Sequence, residues 1–210
     1  ISAIASLVLL VLLGWVLAGL YANGQLSATL WGPIIDPGND QFGPFWHFVG
    51  EGLRNTLVAA LVSVSAALVL GTLIATLYFY AGRILRAGLA LVIELFRGIP
   101  VVILIFGVAV VLPENGVLLS PFWYMCIAIS AHGAAMISEI VRAGVAAIPR
   151  GQHDAGYAIG LSKHKLLAII LYPQAFRVML PALISQMILT LKDTTLGFII
   201  ASGTVAGAWE

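Results

Sequence analysis

Charge is scarce in this sequence: Asp, Glu, Lys and Arg together make up 9% of its 210 residues, against 61% hydrophobic. With a mean hydropathy of +1.06, that places the chain in the membrane class before any motif is considered. The net charge of +1 leaves no basic surface for nucleic acid. Cysteine is nearly absent. Cys126 stands alone inside an apolar run, which excludes a disulfide framework and a Cys-rich metal site. No Gly-x4-Gly-Lys-Ser/Thr phosphate loop occurs; residues 156–163 come nearest and have the wrong spacing. No Ser/His/Asp or metal-ligand set lies within the apolar runs, which counts against an intramembrane enzyme. A long soluble segment and an internal repeat are also missing.

What is there is a series of apolar runs. A bilayer core needs roughly 20 apolar residues per helix, and residues 1–21, 53–80, 87–112 and 121–145 meet that length, with a shorter run at 176–191. A further run at 196–209 is expected to begin a sixth span and to be truncated; both natural termini are expected to extend beyond Ile1 and Glu210. The first run is too long for a signal peptide and no Ala-x-Ala site follows it, so it reads as a span. The fold class is all-α, a polytopic transmembrane helix bundle of about six spans. Residues 22–52 read as an exposed, acidic, turn-rich loop with Pro33, Pro37, Pro44, Asp36, Asp40 and Glu51. Its Trp31, Phe45, Trp46 and Phe48 suit a membrane interface. No Lys or Arg precedes Arg54, whereas Arg83, Arg86, Arg142, Arg150, Lys163 and Lys165 fall in two later connections. The positive-inside rule puts those connections in the cytoplasm, and the 22–52 loop and the turn at Pro113 outside. Ala59, Ser63, Ala67, Gly71 and Ala75 recur every four residues, a stripe on which another helix can pack closely.

Several polar groups interrupt the spans. Glu94 and Arg97, and Glu139 and Arg142, are each spaced to pair on one helical face; they are either structural ion pairs or cavity-facing groups. Pro100 in Gly98-Ile99-Pro100 predicts a kink in the third span. His132, among Ser130, Ala131 and Gly133, either contacts a neighbouring helix or lines a polar cavity. A short helix is predicted from Gly151 to Ile159 with a stop at Gly160. Asp154 is placed in its first turn, where the helix dipole favours an anion. Its small residues suit either seating in a partner's groove or an ordinary surface turn. Because 176–191 is short for a crossing, Lys192 and Asp193 are expected at a helix break below the outer surface, or else in an exposed turn. Gln186 reaches the same cavity only if the helix bends after Pro181.

In order along the chain stand Glu94-x-x-Arg97-Gly98-x-Pro100, Glu139-x-x-Arg142, Ile148-Pro-x-Gly151-Gln152, Asp154-Ala155-Gly156 with Gly160, Ile170, Tyr172 and Pro173, then Pro173-Gln174-Ala175, Leu180-Pro181 and Lys192-Asp193-Thr194-Thr195-Leu196. Together they resemble the polar amino acid permeases of ABC importers, the histidine/glutamate/glutamine type. The stretch from Asp154 resembles their cytoplasmic EAA loop, with Asp for Glu, Gly for the second Ala and Tyr for Leu; Thr195 replaces the usual Ser. The resemblance covers residues 53–196 as a family core, with a coupling loop at about 147–173 and residues 1–21 as an extra N-terminal span of a single permease domain, 1–210.

It implies a type I ABC importer permease in a bacterial cytoplasmic membrane, not itself an enzyme, taking up a polar amino acid, with glutamate preferred. Implied partners are ATP-binding cassette subunits, a second permease subunit, an external amino-acid-binding protein and the lipid bilayer. ATP and Mg²⁺ are then bound by the partner ATPase and no cofactor by this chain. Gly151, Gln152, Asp154, Ala155, Gly156 and Gly160 are the implied coupling residues. His132, Gln186, Lys192, Asp193, Thr194 and Thr195 are candidates for the substrate path. The alternative is an ion-coupled secondary transporter of amino acids.

Overall fold

The computed structural model describes residues 2–197. The described chain is helical and falls into two compact units whose boundary lies between Asn55 and Thr56. The run at 196–209, expected to begin a further span, lies almost wholly outside the described residues.

The first unit contains α1 (Ser2–Ala22), α2 (Ala28–Ile35) and the start of α3 (Phe42–Tyr80). Helix α1 is apolar on every side and exposed along its length, the pattern of a span that meets lipid all round. The region read as a loop is largely helical, which corrects that expectation. Pro44 falls in the first turn of α3, where a missing N–H removes no helical bond. The turn between α2 and α3 is built by short polar side chains: Gly38 N–H donates to Asp36 Oδ1 at 2.9 Å and Gln41 N–H to Asn39 Oδ1 at 2.9 Å. The Trp31 indole N–H donates to the Gln25 carbonyl and that of Trp46 to the Ile34 carbonyl, so both rings tie the connection to itself.

The second unit is organised around α6 (Pro121–Ala146), the most buried helix. The remainder of α3, α4 (Arg83–Gly98), α5 (Val101–Glu114) and α8 (Lys163–Leu196) pack on it, and α7 (Arg150–Ala158) lies between α6 and α8 in sequence. Close packing follows from small residues. Ala59, Ser63, Ala67, Gly71 and Ala75 are all buried, as their spacing requires. A Cβ on Gly71 would stand 2.8 Å from the Ala134 carbonyl and the Ile137 side chain, and one on Gly133 would stand 2.9 Å from Ala67 Cβ. The stripe on α3 therefore meets a second stripe on α6. Ser63 Oγ is enclosed there, facing the Cys126 thiol without a well-aligned hydrogen bond.

Helix α8 runs antiparallel to α6: Met179 covers Gly144 and Thr190 lies near Gly133. It is 34 residues long, so the short 176–191 span is corrected to a longer helix that begins inside the expected loop. The turns at Leu166–Leu171 are π-helical, with Tyr172 N–H donating to Leu167. Pro173, the next residue, has no N–H for Ile169 and crowds that carbonyl, a sufficient cause for the widened turn. Four helices are long and apolar enough to cross a membrane, and the bent pair α4–α5 makes five among the described residues.

Candidate functional site

Two groups of the expected residues are brought together, one halfway along α6 and one at its C-terminal end.

The first begins at Pro100. The third run is two helices meeting at 105°, a sharper break than the expected kink. Proline has no N–H and its ring crowds the carbonyl four residues back, which is that of Phe96. The restriction on the residue before proline holds Ile99 extended, at φ −85 and ψ 126. The Phe96 carbonyl, left without its helical partner, is met instead by His132 Nδ1 at 2.9 Å. A carbonyl only accepts, so Nδ1 carries the proton. This supports the helix-contact reading of His132 and gives its cause. His132 lies about 17 Å along α6 at 1.5 Å per residue, so the elbow of α4–α5 stands at mid-depth.

Asp193 of α8 is within electrostatic reach of that imidazole and of Lys192. The expected break at Lys192–Asp193 is corrected: α-helical backbone continues to Asp193, and Thr194–Leu196 tighten into a 3₁₀ turn without leaving helical dihedrals. The Thr194 and Thr195 hydroxyls donate to the Leu191 and Lys192 carbonyls, both at 2.7 Å. Gln186 needs no bend to join this group. Met179, Leu183, Gln186, Thr190 and Thr194 are buried along one stripe, and Asp193, seven residues after Gln186, shares it. Lys192 and Thr195 are exposed on other faces. The ion pair Glu94–Arg97 closes at 3.4 Å on the last turn of α4.

The second group is at the basic end. Arg142 pairs with Glu139 at 3.1 Å, and its guanidinium lies 3.7 Å from the Tyr78 ring centroid. Lys163 Nζ donates to the Phe79 carbonyl, His164 stacks on Tyr80 at 4.3 Å, and Tyr172 shares a 2.6 Å hydrogen bond with Thr76. These contacts fasten the start of α8 to the end of α3. Helix α7 rests on the resulting apolar cluster of Val145, Ile148, Leu166, Leu167 and Leu171. It starts at Arg150, one residue earlier than expected, and ends in a Schellman cap. Gly160 takes φ +77, its N–H donates to Tyr157, and the Leu161 N–H donates to Gly156.

Two expectations change here. Asp154 lies beyond the first turn of α7, so the dipole argument does not apply to it. Gly156 is buried with its own chain: a Cβ there would stand 2.4 Å from Leu166 Cδ1. It seats α7 on α8 and is not open to a partner's groove. Gly151, Gln152, Asp154, Ala155 and Gly160 are exposed, with Gln152 Oε1 accepting from Gln174 Nε2 at 3.2 Å. Two residues outside the expected set stand out by exposure at this end: Tyr157, 51% exposed, and Ile159, 73% exposed. Two large side chains at the end of a small-residue helix, Tyr157 in its last turn and Ile159 at its C-cap, were the signal that could have found them.

Residues 67–209 match the family described as binding-protein-dependent transport system inner membrane component. The glutamate transport system permease protein GluD of Corynebacterium glutamicum is 41% identical over 182 residues, 85% of this chain and 65% of that protein. The probable glutamine ABC transporter permease protein GlnP of Bacillus subtilis is 35% identical over 73% of this chain and 71% of its own length. The present chain thus spans a little under two thirds of the glutamate permease. In fold it is similar to the crystal structure of an amino acid ABC transporter with histidines, at a TM-score of 0.69 and 24% identity, covering 76% of this chain and 75% of that one. From a family match over most of its length and this shared all-helical fold, the chain belongs to the binding-protein-dependent transport system inner membrane components, a family of multi-pass cytoplasmic-membrane permeases and not of enzymes.

Proposed function

We propose that the chain is the permease subunit of an ATP-driven uptake system for a polar amino acid, with glutamate as the preferred substrate. The observation that carries this reading is the convergence at mid-depth of His132, Asp193 and the Phe96 carbonyl on the α4–α5 elbow. A free amino acid is a zwitterion and loses hydration in a membrane, so its path must offer both charges. Lys192 and Thr195 are on the exposed side of α8 and form the path wall. Asp193, within electrostatic reach of both His132 and Lys192, orients Lys192 from behind. Glutamate is preferred because the 41% identical relative is a glutamate permease. The ion-coupled secondary transporter finds no support in a binding-protein-dependent family.

The partners follow from the same reading: an external binding protein, a second permease copy or homologue, and a separate ATPase that holds ATP and Mg²⁺. Helix α7 docks that ATPase through Tyr157 and Ile159, apolar anchors on an otherwise small and polar surface. Gly151, Gln152, Asp154 and Ala155 surround them, and Gly160 and Gly156 hold the helix in place.

Glutamate uptake by the co-expressed system, measured in vesicles, tests the reading. Lys192→Gln is expected to raise KM about tenfold while the ATPase subunit still co-purifies. Unchanged kinetics remove Lys192 from the path. Uptake that persists without any ATPase subunit overturns the ATP-driven reading itself.

A further inference from the structure

Where α3 ends and α4 begins, Tyr78, Gly82, Arg83, Arg86, Ala87 and Ala90 line an open groove of about 370 Å³, within the roughly 300–1,000 Å³ usual for small-molecule sites. Its charge is uncompensated. The ion pairs among the described residues are His47–Glu51, Glu94–Arg97 and Glu139–Arg142; neither arginine of the groove takes part. Arg86 uses one nitrogen on the Ala81 carbonyl at 3.1 Å and stands 5.4 Å from the Tyr78 ring centroid, which fixes its guanidinium. Arg83 is exposed and has no side-chain hydrogen bond or ion pair among the described residues. Gly82, at the N-cap of α4, supplies no side-chain cap, so the first N–H groups of this 16-residue helix also remain open to an acceptor. One fixed and one free guanidinium beside open N–H donors together suit a phosphate oxygen.

We propose that this groove binds the phosphate of an anionic phospholipid in the cytoplasmic leaflet. A phosphate group is the shared chemistry of a lipid headgroup and a free ion; the walls favour the lipid. Beside the arginines the groove is lined by Ala87 and Ala90, and the same helix exposes Ile84 at 90% and Leu91 at 62%. An acyl chain leaving the headgroup has apolar surface to follow, which a free phosphate does not use. Basic pockets between transmembrane helices on the cytoplasmic side hold lipid headgroups for the same reasons. The proposal rests on the inside placement of the Arg83–Arg86 turn and is independent of which amino acid is carried.

The full-length protein, purified in detergent and titrated with phosphatidylglycerol, tests it by native mass spectrometry. One phosphatidylglycerol is expected to stay bound where phosphatidylcholine does not. Arg83→Gln is expected to weaken retention about fivefold, and Arg83→Lys to keep most of it. Arg83→Gln with Arg86→Gln should weaken it further, while Arg177→Gln, on exposed α8 surface outside the groove, should leave it unchanged. Because Arg86→Gln also removes the bond to Ala81, Arg83→Gln carries the decision alone if the double variant misfolds. Retention by Arg83→Gln equal to wild type, or equal retention of phosphatidylcholine, overturns the site. Displacement of the lipid by inorganic phosphate at matched concentration overturns the lipid assignment in favour of a free anion.

Discussion

One missing N–H sets the geometry of the mid-depth site. Pro100 cannot donate to the Phe96 carbonyl, and His132 Nδ1 takes that place at 2.9 Å. In a dry helix interface an orphaned carbonyl costs about 1–3 kcal/mol. His132→Leu is therefore expected to destabilise the purified protein by that order, read as a lower thermal midpoint, and His132→Gln to recover part of it. In a Pro100→Ala background residue 100 regains its N–H, so the penalty of His132→Leu should shrink. An equal penalty in both backgrounds, read by a double-mutant cycle, removes this coupling. A second residue-scale expectation concerns Gly71, where a Cβ would meet backbone and Ile137 at 2.8 Å. Gly71→Leu must push α3 off α6 and should cost about 1–3 kcal/mol, detected in the same melting experiment.

At the scale of elements, what the sequence made legible was local. The small stripe on α3, the pairing of Glu94 with Arg97 and of Glu139 with Arg142, and the extent of α7 follow from spacing of three, four or seven residues, and each is present. What was not legible depended on a partner element. The inward turn of Gly156 is decided by Leu166, across the Schellman cap. The continuation of α8 back to Lys163 is decided by anchoring to Phe79 and Tyr80. The facing stripe on α6 was readable from Ala128, Ser130, Gly133, Ala134 and Ser138, but only the α3 half had an even period. Because Gly156 is packed against Leu166, Gly156→Trp should displace α7 from α8, and so lower thermal stability as well as ATPase co-purification. Tyr157→Ser with Ile159→Ser should abolish co-purification with the melting temperature unchanged. If the serine variant still retains the ATPase subunit, α7 is not the docking element.

At the scale of the whole molecule, the distribution of charge decides which way the chain faces. In the second unit, Arg142, Lys163 and the Arg83–Arg86 turn gather where α3 and α6 end and α8 begins. The opposite end of α6 is tied to the α5–α6 connection, where Tyr124 Oη donates to the Val117 carbonyl and accepts from Leu119 N–H, and that connection carries Glu114 and no basic residue. Lys and Arg near span ends stay in the cytoplasm, whereas acids contribute little to orientation. By that rule Ser162, exposed just before α8, is expected to face inward, and Asp40, in the stretch without Lys or Arg before Arg54, is expected to face outward. Cys126 is buried within α6, and a Cys126→Ala background removes it as a competing thiol. In that background Ser162→Cys should react with an impermeant maleimide only after the membrane is opened, and Asp40→Cys should react in intact cells. The reverse pattern overturns the topology, and with it the cytoplasmic placement of both α7 and the arginine groove; labelling of both positions in intact cells shows that an odd number of crossings does not separate them.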